Sequence, residues 1–340
     1  MAITDYTDFV IDNQYFHTGL FEGLTQNLGL FNEVSGGAVR LIDNRLPGHL
    51  SDRLLYKTLE DSWNRRDITA ASAISSADTA QVQEISQRGV KLNAKMYAPF
   101  ILHAFQKNFD PSMKGDYQQI SRRIGQATAP ARLKQQVNHS LYAARSALTK
   151  SSAASKHAIV VSSANYNGKM NSVDLNTARA LMGDMAGRLK CMVMHSKPYF
   201  DLVGNQVADK LTGVSDLILR EGSGLTYNTP VLVIDSPALY ATIGSGSAAY
   251  TEYYTLLLTE DAVVVQNSEA EAMVAEVVTG KENLQIDLQG EGAHNVEVRG
   301  FAWAAGGGIN PTDAALATAS NWDLASASIK NRAGVAIASR

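Results

Sequence analysis

The residues best suited to bond-making chemistry are His195 and Ser196, with Asp184 upstream: the three side-chain types of a hydrolytic triad. Neighbours on one chain point apart, and no nucleophile elbow of the form Gly-x-Ser-x-Gly surrounds Ser196. Its place ahead of Pro198, at the start of an amphipathic stretch, fits a helix cap instead. Gly168-Lys169 and Gly280-Lys281 lack the upstream glycine and the following hydroxyl residue of a phosphate-binding loop. Gly244, Ser245, Gly246 and Ser247 form a flexible loop without the strand-to-helix context of a dinucleotide site. The seven histidines are scattered, and no His-Glu-x-x-His or paired Cys-x-x-Cys spacing occurs. These residues point to no catalytic, cofactor or metal site, and no cofactor is expected.

The elements around His195 are an alternation of helices and strands. Leu175, Ala178, Leu181, Met182, Met185 and Ala186 recur at helical spacing, with Asp174 as a cap and Gly187 as a terminator. Leu189–Met194 reads as a buried strand, and Cys191 within it as a small core hydrophobe. A second helix from Ser196 would turn Tyr199, Leu202 and Val203 to the core. A β-branched strand between Pro230 and Pro237 follows. Further strands are expected at 159–162, 253–259, 262–266 and 295–302.

Upstream, residues 1–45 carry many apolar anchors, among them Phe16 and Phe21, separated by polar residues and glycines. They read either as an N-terminal helix of the main unit or as an arm lying on another surface, with a short helix around 18–27. Residues 46–97 read as two extended segments joined by a small-residue tip, a long β-hairpin. Such a hairpin is an edge-pairing hazard unless something covers it. Arg65, Arg66 and Asp67 near the tip are able to form charge-assisted pairs across a subunit boundary, or to stand as a solvated cluster. Residues 98–156 read as helical. Phe100, Ile101, Ala104 and Phe105 share one face, Tyr117, Ile120 and Ile124 a second. Leu133, Val137, Leu141, Ala144 and Leu148 form the stripe of a stronger helix over 131–149, with Pro130 at its start or at a kink.

Length allows two or three domains, and the single cysteine excludes an intramolecular disulfide framework. No signal peptide, membrane-length apolar run or long cleavable pro-segment is apparent, which points to a soluble cytosolic chain with no membrane partner. Charge is uneven. From Met113 to Lys156 eight basic residues meet one acid, Asp116, inside a chain of net charge −3. Arg122, Arg123, Arg132, Lys134 and Arg145 would thereby be available to a polyanion, or form a solvated helix face.

The ordered text Gly183-Asp184, Met194-His195-Ser196-Lys197, Val233-Ile234-Asp235-Ser236-Pro237, Asn310-Pro311 and Asn321-Trp322-Asp323 resembles the major capsid proteins of tailed bacteriophages (Caudoviricetes) with the Hong Kong 97-like, or Johnson, fold. The resemblance implies an α+β chain. Residues 1–45 would be an N-terminal arm, 46–97 the extended loop (E-loop), and 98–156 the first part of the peripheral (P) domain with its spine helix. Residues 157–290 would be the α/β axial (A) domain, and 291–340 the returning P-domain strand and C-terminal tail. It implies a non-catalytic shell protein that assembles with itself into hexamers and pentamers of an icosahedral head around double-stranded DNA. A scaffold, a portal and a decoration protein are the implied partners, and the virion, assembled in the host cytoplasm, the implied location. Arg65, Arg66, Asp67, Phe16 and Phe21 would then meet neighbouring subunits, and Arg122, Arg123, Arg132, Lys134 and Arg145 would face DNA or scaffold. Some capsids of this fold join lysine to asparagine covalently, but nothing assigns that reaction to Lys57 or Lys91. An encapsulin-like shell of the same fold and a cytosolic α/β hydrolase using Ser196 or His195 are the alternatives.

Overall fold

The computed structural model describes residues 35–42, 50–56, 84–101, 117–158, 168–211, 229–245, 249–278, 285–326 and 328–340, with Thr18, Glu22, Asn32, Ile68, Thr69 and Glu282. The expected contact residues Phe16, Phe21, Arg65, Arg66 and Asp67 lie outside the described residues, as does the expected strand at 159–162.

In chain order the strands are β1 (Val39–Ile42), β2 (Leu50–Tyr56), β3 (Glu84–Ile101), β4 (Lys156–Ala158), β5 (Leu189–Met194), β6 (Val231–Val233), β7 (Tyr240–Ile243), β8 (Tyr250–Thr259), β9 (Val263–Val278), β10 (Gln285–Val298), β11 (Phe301–Trp303), β12 (Trp322–Leu324) and β13 (Gly334–Ser339). The helices are α1 (Tyr117–Leu148), α2 (Ser172–Ala180), α3 (Ser196–Leu211) and α4 (Asp313–Leu316). The architecture is α+β. One five-stranded sheet runs β1-β9-β10-β3-β2, and a six-stranded one runs β4-β13-β8-β5-β6 with β7 beside β8. β11 and β12 form a small pair of their own.

The hairpin read from the sequence is present: β2 and β3 pair antiparallel, with Leu50 opposite Val90 and Tyr56 opposite Glu84. The helix expected through Phe100 and Ile101 is not. β3 continues to Ile101 because β10 pairs with it along its whole outer half, Gln285 meeting Ile101 and Val296 meeting Val90. A non-local ladder overrides a local helical pattern here. The two helical faces on either side of Pro130 belong to one continuous helix, α1. Proline is tolerated because Pro130 and Gln126 are both exposed, so water can satisfy the carbonyl that loses its i+4 donor.

α2 starts one turn earlier than expected. Asn171 is its cap, accepting from the Asp174 N–H at 2.9 Å, while Asp174 reaches back to the Asn171 N–H at 3.2 Å, a reciprocal capping box. It ends at Ala180, before Gly183 takes a left-handed φ of 57° and opens a 3-10 segment, Gly183–Arg188. Gly187 is therefore not the terminator. At α3 the Ser196 N–H is received by the Asp235 carboxylate at 3.1 Å and the Lys197 N–H by His195 Nδ1 at 3.3 Å, so these two side chains, not that of Ser196, serve the first turn.

The six-stranded sheet is buried on both faces, which explains the unbroken apolar run of β5. Cys191, Val193, Leu256, Leu258 and Ala336 point into a core shared with α1 and the five-stranded sheet. Met192, Met194, Leu257, Val335 and Ile337 point the other way, toward Leu175 and Ala178 of α2 and Leu202 of α3. Tyr199 packs at the edge of this second core. Cys191 is fully buried, and burial pushes its thiol pKa up to about 11.

Sheet membership does not follow the expected segment boundaries. The division at 290/291 falls inside β10, and β9 and β10 belong with β3. The last strand, β13, lies between β4 and β8 in the sheet of the middle segment. That position requires glycine at 334: its φ is 146°, and a Cβ there would lie 2.0 Å from the Leu257 carbonyl oxygen.

Candidate functional site: the face of the long helix

α1 is laid down by its apolar stripe. Val137, Leu141, Ala144 and Leu148 are buried as their spacing requires, and Leu133 packs at the margin of the same core. The cations along this helix meet different fates. Arg122 grips Glu22 with bonds of 2.6 to 2.9 Å, and Gln126 donates to the same carboxylate at 3.1 Å. The hydrogen bond from Arg122 holds the Glu22 carboxyl below its ordinary pKa. Arg123 and Lys134 are exposed. Arg132 is half-buried and donates to Gln135 at 2.9 Å.

Arg145 corrects the sequence reading. It is 8% exposed and unavailable to an external polyanion. Its guanidinium donates to the carbonyls of Ala238 and Tyr240, both at 2.9 Å, and lies 5.2 Å from the Tyr254 ring centre. Burial lowers its pKa, but an arginine remains a cation. Past the helix end, Lys150 pairs with Asp323 at 3.3 Å and Lys156 with Glu252 at 2.8 Å. Much of the positive segment is thus consumed inside the chain. Its exposed charge on α1 comes down to Arg123, Lys134 and the half-neutralised Arg122.

His195 does not complete a triad. Asp184 pairs with Lys330 at 2.7 Å, away from it. Both Ser196 Oγ, at 3.3 Å, and Asp235 Oδ1, at 3.5 Å, approach the same ring nitrogen, Nδ1. A catalytic base needs its acid on one nitrogen and its nucleophile on the other, so no proton relay through the ring is possible. Among the described residues no group of three His, Cys, Asp or Glu side chains is placed to hold a metal ion. No described helix is long and apolar enough to cross a membrane.

Beside α1 lies a cleft of about 360 Å³ lined by Asn93, Lys134, Asn138, His139, Asn310 and Asp313, among others. Asn310 accepts from the Asn93 N–H at 2.9 Å, tying the segment before α4 to β3. At the cleft floor His139 meets His294, a pair the sequence does not reveal because 155 residues separate them. The one available signal is that His139 falls between Gln136 and Ala143 on the helix face turned to the sheet.

The family described as Major capsid protein 13-like (Gp13-like) matches residues 8–336. No curated protein matches. Among solved structures, the capsid of Ralstonia phage GP4 is 10% identical, with 90% of this chain and 87% of that one covered and a TM-score of 0.48. The cyanophage Pam1 capsid is 11% identical over 88% and 87%, with a TM-score of 0.47. The acid-stable capsid of Helicobacter pylori bacteriophage KHP30 is 11% identical over 89% and 88%, with a TM-score of 0.48.

Proposed function

From the chain's membership of the Major capsid protein 13-like family, which makes it a structural, non-enzymatic component of a phage virion that assembles with itself into a shell, we propose that it forms the hexamers and pentamers of an icosahedral head with the Hong Kong 97-like plan around double-stranded DNA. The family match over nearly the whole chain carries this reading. The exposed apolar groups of an isolated copy support it. Ile68, beyond β2 on the hairpin, is 84% exposed, and Tyr97 and Val274, both 60% exposed, flank Gln289 across three adjacent strands. A neighbouring copy would cover them. Closed symmetry repeats each such contact, so individually weak contacts sum.

On this reading the hairpin is the E-loop, α1 the spine helix, and the six-stranded sheet the body of the A domain. Phe16, Phe21, Arg65, Arg66 and Asp67 would serve subunit contacts. Arg123 and Lys134, and with them Arg122 and Arg132, would be the α1 cations that meet DNA phosphates or scaffold. A scaffold, a portal and a decoration protein would complete the head, assembled in the host cytoplasm. Electron microscopy of the expressed protein, alone and with its scaffold, tests the proposal: capsomers or closed shells are expected, and a strictly monomeric protein under assembly conditions would overturn it. Replacing Arg123 and Lys134 with glutamine should leave shells intact and reduce DNA retention at raised salt.

A further inference from the structure

We propose that Asp313, His139 and His294 form an acid-release latch that seats α1 on β10 and lets go when it takes up a proton. The use suggested for it, a change of shape in an assembled shell, rests on the capsid reading above.

His139 Nδ1 lies 2.9 Å from His294 Nε2. The ring centres are 5.0 Å apart and the planes differ by 12°, so the rings share one hydrogen nearly edge to edge. On its far side, His139 Nε2 lies 3.2 Å from Asp313 Oδ1. These contacts fix the protons. The Asp313 carboxylate only accepts, so His139 carries its proton on Nε2 and its Nδ1 is bare. His294 must then donate from Nε2, which leaves its own Nδ1 bare. That atom is buried and without a hydrogen-bond partner.

A further proton has no good site. On His294 Nδ1 it would create a buried donor with no acceptor. On His139 Nδ1 it would set N–H against N–H across 2.9 Å. The first buries an unpaired charged donor and the second breaks the link between the rings, so either weakens the seating. The charged groups around the pair act unequally. Burial lowers the pKa of both histidines, and the Arg132 cation lowers both further. Asp313 opposes this at His139. Lys134 and Tyr142 line the cleft beside His139. From β3, Leu92 faces His294, while Lys91 and Glu297 lie on the opposite face of the sheet. On β9 the residue paired with His294 is Asn267, which does not titrate.

Because the folded-state pKa values lie below the ordinary value of about 6.5, the latch stabilises above that pH and is lost as pH falls below it. Both His139 and Asp313 line the open cleft, so solvent protons reach the pair without unfolding. α1 packs on both sheets, so a change at this junction alters their mutual seating.

The test uses shells of the wild type and of His294→Gln, whose amide nitrogen can replace Nε2 as the donor but does not titrate. Particle diameter by small-angle scattering and hydrogen exchange at β10 would be followed from about pH 8 to about pH 4.5. The wild type is expected to loosen as pH falls below about 6.5, and the variant to loosen only at a lower pH. An unchanged midpoint, or no transition in the wild type, would overturn the latch. If the variant does not assemble, nitrogen NMR of histidine-labelled wild-type protein decides: a bare Nδ1 on His294 at neutral pH is expected, and a protonated one refutes the proposal. Absence of shells from the wild type would count against the capsid reading, while the NMR result would still judge the latch.

Discussion

Arg145→Ala separates the two roles that a cation on α1 can have. In the structure the guanidinium holds the carbonyls of Ala238 and Tyr240, both at 2.9 Å, at the join between α1 and the segment entering β7. Each such hydrogen bond to a charged group contributes about 1.5 to 3 kcal/mol. Losing both leaves two carbonyls short of a donor and opens a void beside the Tyr142 and Tyr254 rings. Relief of the guanidinium's own desolvation offsets part of this, so a net loss of about 3 kcal/mol is expected. Arg145→Lys should recover less than half, because one ammonium cannot reproduce a planar fork. The assay is urea unfolding of the unassembled protein, followed by the fluorescence of Trp303 and Trp322, which are packed against each other at 5.1 Å in the core. The Arg123→Gln, Lys134→Gln pair is the control and should change stability by no more than about 0.5 kcal/mol. If Arg145→Ala proves as silent as the control but releases packaged DNA, the argument from burial is wrong and the charge faces outward after all.

Gly334→Ala should prevent correct folding or cost more than about 4 kcal/mol, read as insoluble expression or a collapsed unfolding midpoint, because the added methyl meets the Leu257 carbonyl at 2.0 Å. Ser196→Ala should leave assembly unchanged in electron micrographs, since the first N–H of α3 is received by Asp235; Asp235→Ala should lower the midpoint of urea unfolding slightly. Cys191 should resist thiol reagents at about pH 8 in the folded protein and react once denatured, as a buried thiol raised to about 11 requires.

Local pattern carried a good part of this architecture. The β5 strand, the core side of α1, the burial of Cys191 and the presence of the β2–β3 hairpin all rest on periodicities that a short window contains. The absence of a triad at Ser196 followed from adjacency alone, and the structure adds that both partners crowd one ring nitrogen. Even the family was legible, in short ordered runs such as Met194 to Lys197 and Asn310 to Trp322.

Other features lie beyond any local reading because their causes are distant in the chain. Phe100 and Ile101 have a helical pattern yet extend β3, since β10 offers them a ladder from nearly two hundred residues away. β13 enters the middle of the six-stranded sheet only because Gly334 lets it close on β8. The positive segment is a true property of the sequence, but its strength as an external patch was decided by folding, which set Arg145 on carbonyls, Lys156 on Glu252 and Arg122 on Glu22. The His139–His294 pair exists only where α1 crosses β10. Composition and spacing determine which surfaces a segment can bury. Which charges remain outside, and which titratable groups are brought together, depends on long-range packing, because a side chain's environment belongs to the residues opposite it and not to those beside it in the chain.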